Sequence, residues 1–172
     1  MTERHSAPAP TQPTGGHALD QRGQALKALL TQLLQPLPVE IGESLDEVVI
    51  KSPPQDVLEV CRRCKEEPQL DLDYLRCLSV VDYKDHLQVV YHLYSVSKRH
   101  RCVIKTDLSV DNPGVASIVP VYAGANWHER EGAELFGVTF VGHPDMKPLL
   151  LWEGFEGHPG LKSFPYHEYD QW

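Results

Sequence analysis

The chain has 172 residues, of which 41% are hydrophobic and 23% charged, and it carries a formal net charge of −8 at pH 7. This balance is typical of a globular protein with one domain and additional tails. The negative charge argues against nucleic-acid binding, which needs a basic surface, and no apolar run approaches the roughly 20 residues that cross a bilayer.

The first 17 residues contain three prolines and two glycines but few large apolar groups. Such a segment cannot bury enough surface to offset its ordering entropy, so residues 1–17 are predicted to form a disordered tail. They also lack the apolar core of a signal peptide. We therefore expect the chain to remain in the cytoplasm.

Two helices and a short strand are predicted after this tail. Asp20 can cap a helix that runs through Leu34, because leucines recur there at helical spacing. The consecutive Val, Val and Ile within residues 47–51 favour a strand. Residues 55–66 then show helical spacing of apolar side chains.

Cys61 and Cys64 lie in that second predicted helix at the spacing of paired metal ligands, but Cys77 and Cys102 form no second pair of this kind. A zinc or iron–sulfur site needs two further ligands in a compatible arrangement. We therefore interpret the thiols as small apolar groups of the core, free of disulfides.

Three strand-like runs, at 75–83, 87–96 and 101–108, are separated by short polar connections that predict antiparallel hairpins. Helices that precede such a meander indicate an α+β fold, a mostly antiparallel sheet with helices packed on one face. We place this α+β domain at residues 18–141.

The last predicted helix runs from Trp127 to about Phe136, with Asn126 as its cap and Gly137 as its stop. A turn at 111–114 precedes it. Arg130 and Glu134 are four positions apart on this helix and can form an ion pair. If exposed, such a pair would contribute only a few tenths of a kcal/mol, whereas at a subunit boundary it would set register and specificity.

From residue 142 onward, prolines and glycines recur too often for long regular elements, yet leucine, phenylalanine and tryptophan persist. An irregular but apolar segment is unusual in a free monomer. We predict an irregular, extended C-terminal arm at 142–172 that lies over a partner protein.

A dense motif spans the last helix and this arm. It combines an acidic–Arg–acidic triplet, a Glu-Leu-Phe-Gly run, a Gly-His-Pro-Asp run and a later Phe-x-Gly-His-Pro with a closing Phe-Pro. Its positions, which we predict to contact other subunits, are Trp127, Glu129, Arg130, Glu131, Glu134, Leu135, Phe136, Gly137, Gly142, His143, Pro144, Asp145, Lys147, Phe155, Gly157, His158, Pro159, Phe164 and Pro165. The motif closely resembles the signature of the C-type NADH-quinone oxidoreductase family, which comprises the 30 kDa subunit of respiratory complex I.

The resemblance implies a structural subunit in the peripheral arm of a proton-translocating NADH:quinone oxidoreductase. In that family the subunit docks the D-type and B-type subunits, while FMN and iron–sulfur clusters belong to partner subunits. We accordingly expect no catalytic, cofactor-binding or metal-binding residue in this chain and no direct substrate. Attachment to the cytoplasmic side of the membrane would be peripheral, through the partners. The absence of a dinucleotide or nucleotide-binding glycine motif agrees with a scaffold.

Two alternatives stay open. Leu161-Lys162-Ser163 stands where the family usually has Arg-Lys-Asp, and such departures leave room for the equivalent subunit of a complex-I-like membrane-bound hydrogenase or another-donor oxidoreductase. A remote alternative is a small soluble metal-binding enzyme that uses His143, His158 and the glutamates of the last helix. The simpler interpretation of both Gly-His-Pro repeats is a tight turn whose histidine bonds to backbone.

Overall fold

A computed structural model of the chain describes residues 18–165, so the predictions for residues 1–17 and 166–172 lie outside the described residues. The elements are α1 (Gln21–Leu33), β1 (Glu40–Ser44), β2 (Glu47–Lys51), α2 (Val57–Glu66), β3 (Tyr74–Asp82), β4 (His86–Tyr94), β5 (Arg101–Ser109), β6 (Gly114–Ala116), α3 (Ala125–Phe136) and β7 (Thr139–Val141). None of the helices in this described range is long and apolar enough to cross a membrane.

The main sheet has five strands in the order β1-β2-β5-β4-β3. All neighbours are antiparallel except β2 and β5, which run parallel, so the predicted mostly antiparallel sheet is confirmed. Sequence reasoning missed β1, an edge strand whose side chains are almost all exposed and therefore show no apolar alternation. It also missed β6 and β7, which pair with each other over only three residues.

The three helices within residues 18–165 contribute to one core on a single face of the main sheet, which confirms the predicted α+β arrangement. Leu26 and Leu30 of α1 pack there, and Val57 and Val60 of α2 join them. On the opposite face, Val49, Val90 and Val103 form a small buried patch. The core therefore has two layers, and α3 lies against β3 within it.

The caps of two helices test the sequence predictions directly. Asp20 caps α1 as predicted, accepting a hydrogen bond from the Gly23 N–H at 2.7 Å. The cap predicted for Asn126 is wrong, because α3 begins at Ala125 with Gly124 as its N-cap. A hydrogen-bonded turn ahead of the helix, from Ala125 N–H to the Tyr122 carbonyl, already bends the chain into helical conformation.

Gly137 ends α3 as predicted. It adopts a left-handed conformation with φ of 75°, and its N–H bonds to the carbonyl of Ala133. This conformation is the ordinary role of glycine after a helix.

Candidate functional site

The described part of the predicted C-terminal arm, residues 142–165, contains neither helix nor strand and folds back along α3. Its course is held by hydrogen bonds to the helix at several points. Whether the arm also lies over a partner protein stays a prediction.

Two charged side chains of α3 form hydrogen bonds with the backbone of the arm. The Glu134 carboxylate accepts the N–H groups of Leu149, Leu150 and Leu151 at 3.2, 2.8 and 3.0 Å. Arg130 donates to the carbonyls of residues 147 and 148 at 2.9 and 2.8 Å. We call Arg130, Glu134 and the backbone of 147–151 the α3 clamp.

The ion pair predicted between Arg130 and Glu134 is therefore wrong, since no salt bridge joins the two in the part of the chain that the structure describes. The physical reason is that an irregular segment leaves its backbone N–H and C=O groups without strand or helix partners. Burial alone would raise the pKa of Glu134, but the three N–H groups and the nearby Arg130 charge hold that pKa below its ordinary value.

Large apolar side chains stand exposed beside the clamp. Leu150 is 60% exposed and Trp152 is 71% exposed, and both belong to or follow the clamped segment. Trp127 is 64% exposed on α3, with the Arg130 guanidinium 5.5 Å from its ring centroid. We call these three exposed side chains, Trp127, Leu150 and Trp152, the apolar surface. The clamp fixes the backbone that carries Leu150 and leads directly to Trp152.

Both Gly-His-Pro repeats form turns whose histidines bond to backbone carbonyls of α3, as the simpler interpretation predicted. His143 Nε2 lies 3.3 Å from the Asn126 carbonyl, and His158 Nδ1 lies 2.9 Å from the Glu134 carbonyl. The glycines that precede these histidines have φ of 84° and 87°. Within residues 18–165, no group of three or more His, Cys, Asp or Glu side chains is arranged to hold a metal ion.

Glu129 is fully buried in the domain's own core. Its carboxyl oxygens accept the Ser117 hydroxyl at 2.6 Å and the Ile118 N–H at 2.7 Å. Burial raises the pKa of Glu129 to about 7, although both donors act to lower it. The direct contact predicted between this side chain and another subunit is not available in this conformation. Glu129 instead ties α3 to the segment after β6.

The other predicted contact positions differ in how far their side chains are exposed to solvent. Glu131, Asp145 and Lys147 are exposed, and the last two form an ion pair of 3.0 Å. Phe155 and Phe164 are half-buried and stack on each other with ring centroids 6.0 Å apart. Glu131 belongs to α3 and the other four residues to the arm, and their contact with other subunits stays a prediction.

A second attachment of the arm escaped sequence reasoning. Asp82, at the end of β3, accepts the Lys162 N–H at 2.7 Å, and Gly160 N–H bonds to the Leu135 carbonyl at 2.8 Å. The first of these contacts joins residues 80 positions apart, so no local pattern could indicate it.

The buried thiols provide a prediction that is independent of partners. Cys61, Cys64 and Cys102 are buried while Cys77 is half-buried, and burial raises the pKa of Cys61. Because only the thiolate reacts, Cys77 should be labelled first in the folded protein, with the other three thiols at least about 100-fold slower. Mass spectrometry of the labelled protein, with and without denaturant, checks this. Equal labelling of all four thiols under native conditions would contradict the core interpretation.

Comparison with known proteins gives consistent matches. Residues 50–170 match the model of a family described as the respiratory-chain NADH dehydrogenase, 30 Kd subunit. A C-type subunit of the NADH-quinone oxidoreductase of Rhizobium etli (strain CIAT 652) is 38% identical over 144 residues, which are 78% of this chain and 76% of that protein.

Two solved structures share the fold. A chain of the membrane-bound sulfane sulfur reductase, an archaeal respiratory membrane complex, aligns with a TM-score of 0.65 at 21% identity, covering 81% of this chain and 85% of that chain. A trypsin-resistant fragment of Nqo5 aligns with a TM-score of 0.54 at 23% identity, covering 73% of this chain and 99% of the fragment. Both likenesses support the α+β fold.

Proposed function

Because the chain belongs to the family of the respiratory-chain NADH dehydrogenase 30 Kd subunit, we propose that it is a cofactor-free structural subunit of a proton-translocating NADH:quinone oxidoreductase. In this proposal the chain has no catalytic residue and no direct substrate. Oxidation of NADH and reduction of quinone belong to the assembly, with FMN and the iron–sulfur clusters in partner subunits.

The observation that carries this proposal is the exposed apolar surface held in place by the α3 clamp. Aromatic anchors that are fixed before binding lose little conformational entropy on association, and tryptophan is enriched among the residues that dominate binding energy. We assign this surface to docking of the D-type subunit, with the B-type subunit nearby. The chain would then sit in the peripheral arm of the complex, on the cytoplasmic side of the membrane, attached only through its partners.

A second candidate is the equivalent subunit of a complex-I-like membrane-bound hydrogenase or of an oxidoreductase fed by another donor. The shared fold with a chain of the archaeal sulfane sulfur reductase complex supports keeping it. The co-purifying subunits discriminate between the candidates, because an NADH-binding flavoprotein favours the first and a nickel-ligating large subunit favours the second. Stoichiometric zinc or iron in the purified chain would instead favour the remote metal-enzyme alternative.

If the apolar surface docks the D-type subunit, a variant that combines Leu150→Glu with Trp152→Glu should no longer recover that subunit. Each anchor at the centre of an interface contributes about 2 kcal/mol, so the pair should weaken binding at least about 100-fold. The measurement is recovery of the D-type subunit with the tagged full chain from solubilised membranes.

Val96→Glu is the matched control, since Val96 is 61% exposed in the connection between β4 and β5, outside the clamp. It should leave recovery unchanged. Recovery of the unmodified chain alone, without D-type or B-type partner, would overturn the proposed function. Equal recovery with the double variant would overturn the assignment to this surface.

A further inference from the structure

A concave surface lies at the opposite end of α3 from Trp127. It encloses about 660 Å³, which falls in the usual range for a binding pocket. Its walls combine apolar and basic side chains, and we call it the basic pocket, defined by Lys84, Leu87, Val110, Phe136, Leu161 and Lys162.

The basic pocket is closed on one side by the arm. Gly160 and Lys162 attach the arm through their backbone N–H groups, to the Leu135 carbonyl and to Asp82 respectively. Lys84 N–H donates to the other oxygen of Asp82 at 2.6 Å. Both N–H groups hold the pKa of Asp82 below its ordinary value, and the hydrogen bond from Lys162 contributes most. Asp82 is therefore engaged by backbone and holds the pocket together.

The side chains of both lysines remain exposed, and neither forms an ion pair within residues 18–165. Two such cations against one engaged carboxylate give the pocket a net positive charge, in a chain whose own net charge is −8. The apolar side chains of Leu87, Val110 and Phe136 also line the pocket. A ligand complementary to this arrangement has an apolar group to fill the pocket and a carboxylate beside it.

We propose that the basic pocket binds a segment of a neighbouring subunit that inserts an apolar side chain next to an acidic residue. This proposal rests on the proposed function, because it takes the chain to be a subunit of a larger assembly. The pocket exists only when the arm is folded against α3, so it provides a second contact region, separate from the apolar surface.

The test uses the full chain in membranes that contain the assembled complex. A photo-reactive benzoylphenylalanine replaces Val110, which lines the pocket and is partly exposed. After irradiation, the cross-linked peptide is identified by mass spectrometry. The measurement is repeated with Lys84→Glu combined with Lys162→Glu, and with Lys98→Glu as the control, since Lys98 is an exposed lysine between β4 and β5. These changes keep the backbone N–H groups that hold Asp82.

The expected result is a cross-link to another subunit, in a peptide with an acidic residue adjacent to an apolar one. The double charge reversal should lower its yield about tenfold, whereas Lys98→Glu should leave it unchanged. An equal yield in the double variant, a peptide without acidic residues, or a cross-link to residues 166–172 of the same chain would overturn the proposal. If D-type recovery persists but no cross-link forms, the pocket proposal alone fails. Loss of all partner recovery by the unmodified chain would count against the proposed function instead.

Discussion

Glu129→Ala should lower the free energy of unfolding by about 3 kcal/mol or more at pH 6, measured by chemical denaturation of the purified chain. The substitution removes the acceptor of the Ser117 hydroxyl and the Ile118 N–H, leaving both donors buried without a partner. It also leaves a cavity in a fully buried position, and such cavities add to the cost.

The raised pKa of the Glu129 carboxyl makes the free energy of unfolding depend on pH. Its pKa is about 7 in the folded chain against an ordinary value of 4.5, so the folded state binds this proton more tightly than the unfolded state. The associated stabilisation is complete below pH 4.5 and is lost as pH rises through 7. A pKa difference of this size corresponds to a loss of about 2.5 kcal/mol in the free energy of unfolding between pH 5 and pH 8.

Glu129→Gln separates the two effects, because glutamine keeps the size and one acceptor oxygen but cannot ionise. This variant should lose most of the pH dependence between pH 5 and pH 8. Glu131→Gln is the matched control, since Glu131 is an exposed glutamate on the same helix, and it should keep the dependence of the unmodified chain. An unchanged slope in Glu129→Gln would show that another group is responsible.

Gly137→Ala should lower the free energy of unfolding by about 3 kcal/mol, of which about 1 to 2 kcal/mol is the cost of a left-handed residue with a side chain. The remainder comes from the arm. An added Cβ would lie 2.8 Å from Cδ2 and Nε2 of the His158 ring, which is itself bonded to the Glu134 carbonyl. Hydrogen exchange should therefore speed up in residues 158–162 in this variant.

Gly142→Ala provides the control for Gly137→Ala. Gly142 has φ of 84°, close to the 75° of Gly137, but no atom of residues 18–165 lies within 4 Å of a Cβ built there. It should show only the conformational cost, about 1 to 2 kcal/mol, with unchanged exchange in residues 158–162. Equal losses from the two substitutions would mean that His158 moves aside without cost.

Most of the elements that sequence reasoning found have long patterns. The exception is β2, which is five residues long and was indicated by its consecutive Val, Val and Ile. The three strands of the meander alternate or run apolar over nine residues each, and α1 and α2 show helical spacing over ten or more. The pairing of β6 with β7 involves only three residues in each strand, too few for a pattern. The start of α3 was misplaced because the preceding turn, rather than a capping side chain, begins the helix.

The candidate site was predicted in part: Leu150 and Trp152 were not among the predicted contact positions, and the clamp contacts of Arg130 and Glu134 were not foreseen, whereas the histidine-to-backbone bonds were. Arg130, Glu134 and His158 were singled out, and each contributes to holding the arm. Their partners are backbone groups of a segment without regular structure, and no spacing rule places those groups against a helix. Glu129 looks the same as Glu131 in sequence, yet only the packed structure reveals that one is buried and the other exposed.

The α3 clamp binds main-chain atoms, so its hydrogen bonds do not depend on the side chains of residues 149–151. Proline is the exception, because it lacks the N–H that Glu134 accepts. Leu150 can therefore be exchanged for many other residues without altering the path of the chain. The exterior of this segment is thus independent of the contacts that fix its path. Changing the side chain at position 150 changes what the segment presents, while Arg130 and Glu134 keep the backbone where it is.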